Sequence, residues 1–140
     1  MNKSYYQAVF EIIKMGHSIT DEVTRVLKEY DTTEPQFNVL RILRGAKGKP
    51  LSVSAIQEEM VQRSSNITRI VDKLIKKRLV TRKECPTNRR KMDILITEEG
   101  LEKLKLLDEK VHAMHEPFFN KLNKEELVTL KDLIIKLKAQ

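Results

Sequence analysis

The sequence has one cysteine, Cys85, and no tryptophan. A single thiol cannot close an internal disulfide, which fits a reducing compartment, although a bond between two chains stays open. Aromatic residues make up only 5% of the chain, so the apolar side chains are mainly Leu, Ile and Val, as expected where helices pack on helices. We therefore expect a cytoplasmic protein whose 140 residues fold as one domain without covalent cross-links.

Long apolar runs and glycine-rich loops are also missing. Lys3, Glu11 and Lys14 interrupt the N-terminal segment, which is therefore predicted to be neither a signal peptide nor a membrane span. The four glycines are scattered, so no phosphate-binding loop is predicted. His112 and His115 have a spacing that suits a metal on a helix, but a solvated helix edge is the simpler interpretation. We expect no enzyme activity, metal or cofactor.

Positive charge is concentrated in one part of the chain. The sequence contains 27 Lys and Arg against 20 Asp and Glu, for a net charge of +7. Residues 60–92 hold eleven of the basic residues and only two acids, so the rest of the chain is slightly acidic. Such a concentration attracts a polyanion, and the alternative is a solvated basic surface.

Apolar spacing and capping residues predict six helices and two short strands. Thr33, Ser52, Thr97 and Asn123 are the predicted N-caps, and Pro117 is expected to kink or end the fifth helix. The predicted elements are helices over 5–30, 33–44, 52–60, 64–78, 98–117 and 123–138, and strands Leu79–Glu84 and Met92–Thr97 around a turn at 85–91.

This order predicts a mainly α fold with a small two- or three-stranded β-wing. A winged helix-turn-helix at about 33–97 would be flanked by dimerisation helices at about 3–30 and 98–138, in one domain spanning 1–140. The first, fifth and sixth helices carry apolar stripes with little core of their own to cover. We expect these stripes to pack against a second copy of the chain, and the alternative is that they fold back on their own core.

The fourth helix has the two faces that major-groove binding requires. Ile67, Val71 and Leu74 fall on one side and the basic residues on the other. An Asn side chain can pair with adenine, and an Arg side chain can pair with guanine. Asp72 is instead expected to pair with a nearby cation, because phosphate would repel its carboxylate. The candidate DNA-contacting residues of this helix are Ser64, Ser65, Asn66, Thr68, Arg69, Lys73 and Lys76. The alternative for each is an ordinary solvated helix face.

The predicted hairpin tip supplies a second set of candidates, Asn88, Arg89, Arg90 and Lys91. A narrow minor groove has an enhanced negative potential that attracts an inserted arginine. We expect the fourth helix and this wing to contact adjacent grooves of double-stranded DNA.

These motifs resemble the MarR family of bacterial transcription regulators, and the resemblance covers nearly the whole chain. The matching segments are Thr68-Arg69-Ile70-Val71-Asp72-Lys73-Leu74, Arg78-Leu79-Val80, Asn88-Arg89-Arg90 and Ile96-Thr97-Glu98-Glu99-Gly100. Arg90 matches the family's minor-groove arginine. Asn88 stands where the family usually has an Asp that pairs with the wing arginines, and the turn before the fourth helix lacks the usual glycine.

The resemblance implies a sequence-specific regulator, more often a repressor than an activator. It also implies release from DNA by a small anionic or phenolic effector, or by an oxidant, with the effector bound where the dimer arms meet the winged domain. His17, Tyr30 and Phe37 border that region and are the candidate ligand residues, with packing as the alternative. Cys85 is a candidate redox switch, although the family's oxidant sensors carry their cysteine in the first helix.

A different class of function stays open alongside DNA binding. A winged helix can bind another protein, in which case the dimer arms would be the functional part. The basic fourth helix and basic wing argue against this alternative, and steep salt dependence of DNA binding would distinguish the two.

Overall fold

The structure is a computed structural model that describes residues 1–61 and 66–140. The candidates Ser64 and Ser65, and the predicted start of the fourth helix, lie outside the described residues. The described elements are α1 (Lys3–Lys28), α2 (Glu34–Gly45), α3 (Val53–Glu59), α4 (Ile67–Lys76), β1 (Val80–Cys85), β2 (Asn88–Ile96), α5 (Glu98–His115), a 3-10 turn (Glu116–Phe118) and α6 (Lys124–Lys138). The predicted mainly α fold with a β-wing is confirmed.

The helix starts follow from local hydrogen bonds that the sequence predicted. Thr33 Oγ1 accepts from the backbone N–H of Gln36 at 3.2 Å, and Asn123 Oδ1 accepts from that of Glu126 at 2.8 Å. Ser52 and Thr97 cap α3 and α5 in the same way. Each cap satisfies an N–H that the first turn of a helix leaves unpaired. Pro117 lies in the 3-10 turn that ends α5, also as predicted.

The wing differs from its prediction. Its turn contains only Pro86 and Thr87, and the strands pair from Val80 opposite Ile96 to Glu84 opposite Met92, then Cys85 opposite Asn88. Residues 89–91 have no partner across the hairpin and form a bulge in β2. The predicted seven-residue turn was wrong because this polar stretch carries no apolar alternation from which a strand can be inferred.

A third strand does not form in the described residues. Leu51 makes a single bridge to Ile94, with backbone hydrogen bonds of 3.1 and 2.9 Å, and the sheet has two strands. The bridge ties the α2–α3 link to the base of the wing.

The hydrophobic core lies where α2, α3, α4 and the base of the wing meet α1 and α5. Leu40, Ile56 and Leu74 are fully buried there, and so are Leu104 and Leu107 of α5. For these two leucines the structure matches the alternative, in which the α5 stripe folds back on the protein's own core, and the expected packing against a second copy is wrong. The core extends beyond residues 33–97 because the last turn of α1 and the first half of α5 fold back onto the winged domain.

The end of α4 and the exit of the wing are held together tightly. α4 ends at Lys76, two residues before the prediction, and Arg78 takes a positive φ of 63°. Thr97 Oγ1 donates to the Arg78 carbonyl oxygen at 2.8 Å. A Cβ at Gly100 would lie 2.2 Å from the Leu79 carbonyl oxygen, so no larger residue fits there without movement. These contacts hold the start of α5 against the segment that joins α4 to the wing.

Candidate nucleic-acid interface

Helix α4 presents one buried and one exposed face, as the sequence predicted. Ile67, Val71 and Leu74 are at most 2% exposed. Thr68, Arg69, Lys73 and Lys76 are all exposed on the described surface. Because the apolar face holds the helix firmly, the basic face is presented to solvent in a fixed orientation.

Asn66 has a structural task that the sequence analysis did not predict. It is the N-cap of α4, and its Oδ1 accepts the backbone N–H of Arg69 at 3.2 Å. A two-bond pair with adenine needs both the oxygen and the nitrogen of an Asn carboxamide. While the cap is intact, one lone pair of the Asn66 oxygen is occupied, and the side-chain nitrogen remains a donor to a base.

Asp72 pairs with a cation, as the sequence led us to expect, and the partner is Arg82 of β1. Arg82 Nη1 lies 2.7 Å from Asp72 Oδ1. The pair joins the basic helix to the wing across ten residues. Sequence reasoning counted Arg82 only as part of the basic region, because nothing local identifies which cation faces Asp72.

The wing bulge is steadied by Asn88. Its Oδ1 accepts the backbone N–H of Arg90 at 3.0 Å. The side chains of Arg89, Arg90 and Lys91 are exposed, and no described acid forms an ion pair with them. The bulge therefore presents three consecutive cationic side chains that can contact DNA phosphates or enter a DNA groove.

Cys85 lies at the end of β1 beside the wing turn. Its Sγ is 3.3 Å from Thr87 Oγ1, and this hydrogen bond lowers the pKa of the Cys85 thiol from its ordinary value. Since the thiolate is the reactive form, the shift favours reactivity. The redox role itself stays a prediction.

The three candidate ligand residues occupy different environments. His17 is exposed on α1. The ring of Tyr30 has two ammonium groups 5.9 Å from its centroid, those of Lys103 and Lys110. Phe37 is 4% exposed in the core, which favours the packing interpretation for that residue. Tyr30 packs against the same core, and no described contact joins His17 to either ring.

A pocket of about 390 Å³ lies beside the end of α4. Lys73 and Lys76 line it together with Lys28 of α1 and Lys77. Sequence reasoning had named only Lys73 and Lys76, because Lys28 comes from a distant part of the chain that carries no charge excess.

Residues 1–61 and 66–140 contain neither a candidate membrane span nor a candidate metal cluster. No helix there has both the length and the apolar character needed to cross a bilayer. No three side chains of His, Cys, Asp or Glu cluster there in a way that would hold a metal ion. The ring of His112 instead packs 5.0 Å from that of Phe119.

Comparison with known proteins places the chain in a family. The MarR family model matches residues 32–92, which run from the start of α2 into β2. The chain is 30% identical over 124 residues to the uncharacterised regulator YpoP of Bacillus subtilis, covering 89% of this chain and 86% of that protein. The chain belongs to the MarR family. It is therefore a MarR-family transcriptional regulator, and the predicted membership is confirmed.

A second MarR-type relative matches over a shorter length. The transcriptional regulator MhqR of Bacillus subtilis is 34% identical over 84 residues, 60% of this chain. The match spans 57% of the length of MhqR.

Solved structures support the fold over nearly the full length. A MarR-like transcription regulator from Bacillus cereus superposes with a TM-score of 0.82 at 24% identity, covering 96% of each chain. The organohalide-sensing regulator RdhR, solved with 2,4-dichlorophenol bound, also gives 0.82 at 19% identity, covering 97% of this chain and 80% of that one. Both likenesses concern the fold alone.

Proposed function

We propose that this MarR-family protein binds a pseudo-palindromic operator in double-stranded DNA as a homodimer and represses transcription until a small effector releases it. The observation that carries the proposal is that the basic face of α4 and the basic wing lie side by side, joined by the ion pair of Asp72 with Arg82. The exposed face of α4 suits a major groove, and the wing bulge suits the adjacent minor groove.

The proposed use of each DNA candidate follows from its position. Arg69 lies in the first turn of α4, the end that meets base edges in this motif. Lys73 and Lys76 lie further along the helix and suit phosphate. Arg90 is the proposed minor-groove residue, and Arg89 and Lys91 flank it.

Exposed apolar surface on the two terminal helices supports the homodimer. Phe10 of α1 is 62% exposed, and Leu133 of α6 is 58% exposed. No residue of α6 is buried, and no described helix or strand packs extensively against it. Large apolar patches of this kind are typical of protein interfaces. A second copy supplies a complementary apolar surface from the same helices, and a two-fold dimer requires a two-fold operator.

Repression follows from occupancy, since a dimer covering two half-sites excludes other proteins from the same DNA. The effector part of the proposal draws support from the fold shared with RdhR, which binds 2,4-dichlorophenol. Tyr30 is the candidate ligand residue that the structure favours, because Lys103 and Lys110 beside its ring would attract an anionic or phenolate group.

Selection of bound duplexes from a random DNA pool, at two salt concentrations, tests the proposal. We expect one palindromic site with half-sites ~34–36 Å apart. Affinity should fall steeply with salt, because each neutralised phosphate contributes about 0.9 to the slope of log affinity against log salt. Arg90→Gln should weaken binding, whereas Lys105→Gln, which removes an equal charge at an exposed position of α5, should not.

Recovery of no site at either salt would contradict the proposal and favour the protein-interaction alternative. With the operator in hand, 2,4-dichlorophenol is the first effector probe. Release of the operator by this phenol would support effector control, and unchanged binding at saturating phenol would contradict the phenolic effector.

A further inference from the structure

The pocket beside the end of α4 has lysines at four of its eight lining positions. Its lining includes Lys28 at the end of α1, Asp31 and Gln36 around the start of α2, and Lys73, Lys76 and Lys77 at the end of α4. Among the lining residues, Asp31 is the one acid against four lysines. The ends of α1 and α4 come from parts of the chain 45 or more residues apart, so only the fold assembles this cluster of lysines.

The pocket charge is not neutralised by the protein. The Asp31 side chain is 98% exposed, and its Oδ2 reaches Lys77 Nζ at 3.6 Å. Such an exposed pair is weak because water screens it. For Lys28, Lys73 and Lys76 the described chain supplies no acid within ion-pair distance.

Lys77 is held in place by neutral acceptors. Its Nζ donates to the Asp31 backbone carbonyl oxygen and to Gln36 Oε1, the latter at 3.0 Å. Carbonyl oxygens fix the position of an ammonium group without cancelling its charge. The side chain of Lys77 is 30% exposed, so this positioned charge still faces the pocket.

Helix stability does not explain the whole cluster. A lysine in the last turn of a helix interacts favourably with the helix dipole, which accounts for Lys28 and Lys76 one at a time. It does not account for the convergence of two helix ends on one pocket. Lys73 and Lys77 are moreover four residues apart, a spacing at which like charges destabilise a helix.

The pocket continues the basic face of α4. Arg69, Lys73 and Lys76 follow one another at spacings of four and three residues, which places them on one side of the helix. Lys76 lies about 10 Å along the axis from Arg69, since each residue advances a helix by about 1.5 Å. A DNA strand that meets Arg69 in the groove would therefore carry its phosphates along this face toward the pocket.

We propose that the lysine pocket binds a phosphate group, and that the DNA backbone flanking the major groove supplies it. This inference rests on the proposed DNA binding. It adds Lys28 of α1 and Lys77 to the contact surface, which then extends beyond the winged domain. The contact is independent of sequence, because a backbone phosphate carries no base information.

The test compares Lys28→Gln with Lys105→Gln, which removes an equal charge from an exposed position of α5. Affinities for the selected operator and for a random duplex are measured across a range of potassium chloride. Because the proposed dimer carries two copies of the pocket, Lys28→Gln should lower the salt slope by about 1.8 and weaken both duplexes alike, on the order of sixtyfold at 0.1 M salt. Lys28→Arg should restore binding, and Lys105→Gln should match the wild type.

A second arm uses inorganic phosphate as the probe. The thermal midpoint of the free protein is compared in phosphate and in chloride at equal ionic strength. If phosphate stabilises the wild type but not Lys28→Gln, while both bind DNA equally, the pocket binds free phosphate and the backbone source is overturned. If Lys28→Gln behaves like Lys105→Gln in both arms, the phosphate pocket is overturned.

Failure of the proposed function would look different. In that case the wild type would bind neither duplex, and the phosphate arm alone would decide the pocket. A phosphate-dependent shift lost in Lys28→Gln would still support the phosphate site, whereas equal midpoints would overturn it.

Discussion

Helices α4 and α6 have similar apolar spacing but different surroundings. In α4 the apolar side chains are buried in the protein's own core, with Leu74 fully inaccessible. In α6 the corresponding side chains are exposed, with Leu130 at 45% and Leu133 at 58%. An apolar stripe therefore indicates that a helix packs against something, but not whether the partner surface belongs to the same chain.

The difference assigns the two helices separate tasks. Burial fixes the orientation of α4, so that Arg69 and Lys73 face outward on a firmly held element. The exposed stripe of α6 is available for another surface, which we propose to be a second copy of the chain. Substitutions in the winged domain and in the terminal helices, each compared with a control variant, test this contrast.

The largest effect is expected from Leu133→Glu in α6. A charge in the proposed dimer interface should give monomers, each of which binds one half-site. Because linked binding of two sites exceeds single-site binding by about 10²–10⁴-fold, operator affinity should fall by that order. Analytical ultracentrifugation and duplex binding measure the two effects. Lys131→Glu is the control on the same helix, and a Leu133→Glu dimer with normal affinity would refute the interface.

Leu74→Ala should act on folding rather than on assembly. Removing a fully buried leucine side chain leaves a cavity and lowers the free energy of unfolding by about 2–5 kcal/mol. Lys73→Ala, one residue away on the exposed face, should change it by less than about 0.5 kcal/mol. Denaturant unfolding compares the two, and equal losses would mean that the faces of α4 are assigned wrongly.

Two glycines provide the next comparison. Gly100→Ala places a Cβ against the Leu79 carbonyl oxygen and should cost about 1–3 kcal/mol of stability. Gly16→Ala in α1 meets nothing within 4 Å in the protomer and should stabilise the helix by about 0.8–1 kcal/mol. Thermal or denaturant unfolding measures both. Destabilisation by Gly16→Ala would show that the partner copy occupies the space beside α1.

Arg69→Ala tests whether the exposed face of α4 reads bases. If Arg69 forms a two-bond pair with guanine, the change should cost about 1–3 kcal/mol of discrimination and relax sequence preference at one position of each half-site. Binding to a panel of single-base operator variants measures this preference. An equal loss for every sequence would instead make Arg69 a phosphate contact.

The smallest effect is expected from Asp72→Asn. Both members of the Asp72–Arg82 pair are exposed by more than a third, so stability should change by less than about 1 kcal/mol. Operator affinity should nevertheless fall, because the wing loses a tether to α4. If Asp72 acts through Arg82, the double variant with Asp72→Asn and Arg82→Gln should bind the operator no more weakly than the single variant Asp72→Asn. Additive losses in duplex binding would show that the two residues act separately.

Much of the candidate interface could be predicted from the sequence because its signals are local. Arg69 and Lys73 follow from helical spacing, and Arg89, Arg90 and Lys91 from a run of consecutive cations. The capping role of Asn66 was missed because residues 64–66 all suit a helix start. The bulge was missed because its residues carry no strand pattern.

The sequence alone determined where most helices begin, which quarter of the chain is basic, and the family. Caps at Thr33, Ser52, Thr97 and Asn123 bond within three residues, so no distant part of the chain is needed to place them. Only the tertiary structure decided that Leu104 is buried while Leu133 is exposed, that Arg82 pairs with Asp72, and that Lys28 joins the lysines of α4. Burial and electrostatic contacts depend on distances between residues that the chain brings together only when it folds.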